Sequence, residues 1–332
     1  MNNTKQLLLS LFLLSICSLG FSQENYPSFK FDGTLKNKFE YTPSTGKYRF
    51  DVRNSRLGLK GKITPKMDYR AQVELSNEGK FQVLDLSGTI RPFEGLSLTF
   101  GQTSIPIFNG YTTNPGTMMF ANRTFLAKYY SGTRDIGLLA TYELPVQFPV
   151  ALDFGIFNGN VTNDPQWTDN FSYSARVSLG NMKGWRSTLK IYDYPLNEKT
   201  HYLLYGADLR YEASNWKVES EVMKRDDKIN HIDLFSGYLQ GAYAFKIKNE
   251  NYLFNSVIPA LRYDFIDQYK NDDTLDVNRY TLGLGFGIGK KYFNSILRLD
   301  YEIYDINHGL DFLQKYEEMD KSKFTIELVY MF

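Results

Sequence analysis

The stretch Lys323–Phe332, KFTIELVYMF, alternates without a fault. Phe324, Ile326, Leu328, Tyr330 and Phe332 fall on one face, and Thr325, Glu327, Val329 and Met331 on the other. A side-chain period of two over this length is a β-strand with one apolar face. The apolar face must be covered, by the core of a soluble sheet or by lipid. The same alternation begins the chain after residue 25. Phe29, Phe31, Leu35, Phe39 and Tyr41 share one face, and Lys30, Asp32, Lys36, Lys38 and Glu40 the other.

Residues 1–22 read as a secretory signal. Lys5 supplies the positive start, Gln6–Cys17 is apolar or small, and Gly20 and Ser22 suit cleavage before Gln23. The apolar run is too short for a membrane helix. Cys17 is the single cysteine, so residues 23–332 are expected to carry no disulfide. The chain holds 38 basic and 37 acidic residues, and removing Lys5 balances them. No basic excess points to nucleic acid. Aromatic content is 16%, with 25 Phe and 25 Tyr. Mean hydropathy is −0.38. Past the signal no apolar run approaches the roughly 18 residues of a membrane helix. An exported, aromatic-rich chain of alternating strands is predicted to be an all-β transmembrane antiparallel barrel, residues 23–332, in the cell outer membrane.

The alternation yields about sixteen strands, an even count that returns both ends to one side of the membrane. After the turn Thr42–Gly46, Tyr48, Phe50 and Val52 begin a second strand, and Leu57 and Leu59 continue it in the opposite phase. A bulge near Asn54-Ser55 would restore the lipid-facing set. Tyr69–Leu75, Leu84–Ile90 (with Leu84, Leu86, Gly88 and Ile90 outward) and Leu96–Phe100 follow. The rest lie near 134–143, 149–158, 171–179, 185–194, 202–212, 216–224, 234–246, 253–266, 279–289, 294–304 and 323–332. Short connectors such as 180–184 and 212–215 alternate with longer ones at 158–170, 224–231, 266–278 and 305–322, the asymmetry of periplasmic turns and outer loops. The closing strand resembles those of outer-membrane barrels that end in an aromatic residue, here Phe332. That resemblance implies recognition by the barrel assembly machinery, pairing with the first strand, and lipid as the surroundings.

One connector stands apart. Residues 101–130, GQTSIPIFNGYTTNPGTMMFANRTFLAKYY, are far longer than a median loop and carry apolar residues of their own. A loop of this composition is predicted to fold into the lumen over 103–127. Ile105–Phe108 would anchor it, Pro115-Gly116 would turn it, and Arg123 would stand at the constriction with Phe108 and Tyr111, facing carboxylates across the pore. The run from Leu96 to Phe125 resembles the phosphate-selective porin O and P family. The shared features are a strand ending in Gly101-Gln102, a Pro106-Ile107-Phe108 turn, and a polar stretch ending in Asn122-Arg123. Arg134–Gly137, Gly155–Gly159, Arg53–Leu59, Tyr205–Tyr211 and Arg262–Asp264 extend the likeness along the chain. The resemblance implies a commonly trimeric barrel that passes small hydrophilic solutes, with anions or phosphate among them. The chain departs from the phosphate-selective members in carrying one cation, Arg123, in the loop and no lysine cluster there.

The inward phase of the strands holds basic and acidic side chains in alternation. Arg53, Arg70, Asp85, Arg176, Asp208, Arg210, Glu221, Arg262, Asp264 and Arg298 are the expected pore lining. Such mixed walls orient water and polar solutes, whereas a ring of one sign selects ions. The overall balance of charge predicts weak ion preference. Two other classes fit a surface barrel: a hydrolase with a loop-borne site, and a non-conducting structural or adhesive barrel. His201, His231 and His308 fall in or beside loops outside any recognisable motif. No sequence feature calls for a catalytic residue, a metal or a cofactor.

Overall fold

The computed structural model describes residues 26–77, 80–109, 113–130, 132–159, 162–231, 233–248, 253–269, 275–289, 295–308 and 322–332. The signal segment 1–22 lies outside them. Six strands precede the long connector: β1 (Lys30–Thr42), β2 (Lys47–Val52), β3 (Arg56–Thr64), β4 (Met67–Asn77), β5 (Lys80–Ile90) and β6 (Leu96–Ser104). After it come β7 (Arg134–Glu143), β8 (Val150–Phe157), β9 (Ser172–Gly180), β10 (Gly184–Asn197), β11 (Thr200–Ala213) and β12 (Trp216–Asp227). The last six are β13 (Asp233–Tyr243), β14 (Phe245–Lys246), β15 (Phe254–Tyr269), β16 (Asp276–Ile288), β17 (Ser295–His308) and β18 (Lys323–Met331).

All pairings are antiparallel, and β18 closes on β1 in a register from Thr34↔Met331 to Tyr41↔Phe324. β2 and β3 both pair with β1, and β13 and β14 both pair with β15. The eighteen segments therefore form a closed barrel of 16 strands. The break between β2 and β3 falls at Arg53–Ser55, with Asn54 at φ 53°. This is the expected bulge, and it leaves Tyr48, Phe50, Val52 and Leu57 all on the outside. No helix among the described residues is long and apolar enough to cross a membrane; the strands do the crossing.

Two expectations are corrected. Leu84 does not face lipid. A register shift between Gln72 and Val73 places it as the extra residue of a bulge in β5, and it is buried inside the barrel. Several connectors are also shorter than expected, because β12, β15 and β17 run on to Asp227, Tyr269 and His308. Inward-facing apolar residues near these upper ends, such as Met223, Ile266 and Tyr304, explain the extension: they pack against something inside the lumen.

Candidate functional site

The structure inside the lumen begins where β6 leaves the wall. β6 pairs with β5 only as far as Leu86↔Gln102, while its pairing with β7 continues to Ser104↔Arg134. Gly101 sits at the departure with φ 119°, and a Cβ there would stand 2.3 Å from the Leu86 carbonyl oxygen. Only glycine accommodates both the backbone angle and the approach. The chain then turns inward. Ile105, Ile107, Phe108, Phe125, Leu126 and Tyr130 pack on Tyr192, Leu204, Met223, Leu234, Ile266 and Val277 of the wall. Met119 and Phe120 pack on a second patch with Ala242, Ile258, Ala260, Ile296 and Val329. Each fully buried Phe contributes about 2 kcal/mol to this docking.

Between the two apolar patches lies a belt of wall charges, and it grips the loop backbone. An irregular segment within a barrel has no ladder, so its buried N–H and C=O groups need other partners. The N–H groups of Asn109, Ala121 and Phe125 donate to Glu221 (3.0 Å), Asp300 (2.7 Å) and Asp264 (3.0 Å). Arg298 donates to the carbonyls of Phe120 (2.8 Å) and Gly116 (3.1 Å), Arg262 to that of Asn122 (2.8 Å), and Arg279 to that of Arg123 (2.7 Å). These charge-assisted bonds are the stronger kind. Asp264 is itself held by Arg279 at 2.6 Å and 2.9 Å. Glu221, Arg262, Asp264 and Arg298 thus stand on the inner wall as expected, but the loop covers them and all four are buried.

The open space lies beside the loop, lined by β1, β3–β5 and β7 and by Arg279 of β16 and Lys323 and Glu327 of β18. It is a cavity of about 280 Å³ whose cations are Lys36, Lys38, Arg53, Arg56, Arg123, Arg134, Arg279 and Lys323 and whose carboxylates are Glu74 and Glu327 alone. Lys36 bonds Glu327 (3.0 Å) and the Ala121 carbonyl (3.4 Å), and Arg56 bonds Glu74 (3.0 Å). Arg123 borders this cavity together with the cations Lys36, Arg56 and Arg134 and the carboxylates Glu74 and Glu327. The loop folds against β10–β18 and engages carboxylates of β12, β15 and β17 as acceptors for its own backbone.

The remaining expected lining residues are spread over the inner wall. Arg70 bonds Asp32 at 2.7 Å and 2.9 Å, and Arg176 bonds Asp153 at 2.8 Å. Asp208 takes Lys190 (2.6 Å) and Arg186 (3.4 Å), and Arg210 takes Glu212 (2.7 Å) and Glu219 (3.3 Å). Asp85 accepts from Arg134 at 2.7 Å, and Arg53 borders the cavity. Phe108 is buried edge-on to Tyr130 at 6.5 Å. Tyr111 lies outside the described residues. Sequence reasoning passed over Arg56, Arg134, Lys323 and Glu327 as site residues. The inward phase of β1 did mark Lys36 and Lys38. Among the described residues no group of three or more His, Cys, Asp or Glu is arranged to hold a metal ion.

Some of the motifs spread along the sequence meet in space. Arg262 and Asp264 grip the loop. Asp135 accepts from the Gly159 N–H at 2.6 Å, joining the Arg134–Gly137 and Gly155–Gly159 motifs. A closed antiparallel barrel with an inward-folded, charge-gripped loop beside a polar lumen defines an outer-membrane diffusion channel. The phosphate-selective porin O and P profile matches residues 30–201, more than half of the chain, and the chain belongs to that family. The anion-selective porin of Comamonas acidovorans superposes with a TM-score of 0.63 at 14% identity, covering 92% of this chain and 99% of that one. The trimer form of OmpT from Vibrio cholerae gives 0.63 at 12% identity, with 92% and 99% covered. Salmonella typhi OmpF gives 0.64 at 12% identity, with 92% and 97% covered. No curated protein sequence matches the chain.

Proposed function

We propose that this outer-membrane channel passes small hydrophilic solutes with a preference for anions, and that Arg123 is the loop residue facing the pore. The observation that carries the reading is the cavity beside the loop, where eight cations meet two carboxylates. A confined space in which one sign predominates raises the local concentration of the opposite ion, by about tenfold or more where the field is strong. The neutral balance of the whole chain hides this asymmetry, because carboxylates such as Glu40 and Asp85 pair cavity cations without lining the cavity themselves. Phosphate is one member of the class the site would accept; the geometry favours anions of small size in general.

The channel reading is preferred to a hydrolase. His201 bonds Asp193 at 2.7 Å on the face of β10 and β11 opposite the inward Tyr192 and Tyr194. Planar-bilayer recording under a salt gradient tests the preference. The wild-type reversal potential should report anions, and Arg123→Glu should move it toward cations. A wild-type reversal near zero would remove the anion preference, and an unmoved potential in the variant would place Arg123 away from the ion path.

A further inference from the structure

The departure of β6 leaves a notch in the wall. β5 runs up to Lys80, yet its described pairs with β6 stop at Leu86. Among the described residues the notch is bridged by side chains. Gln102 Nε2 donates to the carbonyls of Val83 (2.8 Å) and Leu84 (3.0 Å), so its amide stands where a neighbouring strand would. The connector between β8 and β9 comes down to the same point. The Asn163 N–H donates to Gln102 Oε1 (2.9 Å), and its side-chain amide donates to the Val83 carbonyl (2.9 Å). Asn163 is held at φ 65°, a conformation asparagine tolerates better than most residues. Its neighbour Thr162 bonds the Arg134 carbonyl at 3.4 Å and borders the cavity that Arg123 also borders.

We propose that Thr162, held in place by the Gln102–Asn163 clamp, is a second and uncharged jaw of the constriction, which limits solute size without adding to charge preference. Gln102 and Asn163 are positioning residues, and Thr162 is the one that meets solute. The two jaws come from different connectors, so size and charge are set by separate segments. The proposal stands whether or not the channel prefers anions.

The test separates size from charge. Purified Gln102→Ala, Asn163→Gly and Thr162→Trp proteins are compared with wild type in three measurements: single-channel conductance, uptake of neutral mono-, di- and trisaccharides into proteoliposomes, and reversal potential in a salt gradient. Glycine at 163 keeps the backbone angle and removes only the amide. Both clamp variants should conduct more and admit larger sugars, with the reversal potential unchanged. Thr162→Trp should do the opposite, lowering conductance and excluding disaccharides. An unchanged size limit in Thr162→Trp would overturn the proposal even if the clamp variants fail to fold. A clamp variant whose reversal potential shifts along with its conductance would also overturn it, since the charged loop would then have moved.

Discussion

Gly283 on β16 shows how the wall makes room for the loop. A Cβ there would lie 2.9 Å from the Phe120 ring and 3.0 Å from Asp300 Oδ1, so the loop's aromatic anchor rests where a side chain would otherwise be. Gly116 does the same from the loop side, with Met331 Sδ 2.1 Å from its would-be Cβ. Gly283→Val should lift Phe120 and weaken the adjacent Ala121–Asp300 bond, at a cost of about 1–3 kcal/mol from overpacking. The expected result is a noisier, larger conductance in a barrel that still migrates as folded on unheated gels. A quiet, wild-type current would mean the loop is held independently of this contact. The charges that hold the loop were legible as inward residues of strands. What they do was not, because period two says which face a residue occupies and nothing about what covers it.

At the scale of elements, the seam and the loop are both explained by unpaired backbone. Phe332 exchanges N–H and C=O bonds with Gly33, at 3.2 Å and 3.0 Å, and its ring lies over Gly33, 2.2 Å from where a Cβ would be. An aromatic ring covering a strand glycine is a known way to pin register. Deleting Phe332 should therefore lower the yield of folded, membrane-inserted barrel, measured as the heat-modifiable fraction; full yield would show the seam closes without it. The loop offers a second test. Deleting residues 109–121 removes the Phe120 anchor and most of the backbone gripped by Arg298, Asp300 and Glu221. Conductance should rise, and no change would take the loop out of the ion path. The inward fold of this segment could be expected from its own apolar residues, Ile105, Ile107, Phe108 and Phe125. The bulge that turns Leu84 inward could not, since Leu84, Leu86 and Ile90 keep a faultless alternation on paper.

At the scale of the whole molecule, the outer surface is a band of exposed apolar and aromatic side chains. Tyr48, Phe50, Phe81 and Phe100 are the most open aromatics of the first third, and Trp185–Tyr211 and Trp216–Tyr243 pair at 4.7 Å on the other strands. Such surfaces meet lipid or a neighbouring protomer. The large outward aromatics of the first strands would suit a contact between protomers, and three copies are the assembly expected from it. Native mass measurement in mild detergent should give three copies, and a clean monomer would sink the idea.

The sequence by itself determined much of the barrel: its strand phase outside β5, the bulge at Asn54-Ser55 and the segment that folds inward. These follow from local rules, since side-chain alternation and apolar content are properties of neighbouring residues. The tertiary structure alone decided how the inner charges divide. The loop docks on β10–β18 because apolar patches there match its own, and carboxylates of β12, β15 and β17 then serve its backbone. The cations of β1, β3 and β7 are left around the open space. That division depends on which wall residues meet the loop inside the lumen, as Asp300 meets Ala121 and Arg279 meets Arg123, and no periodicity along the chain records it.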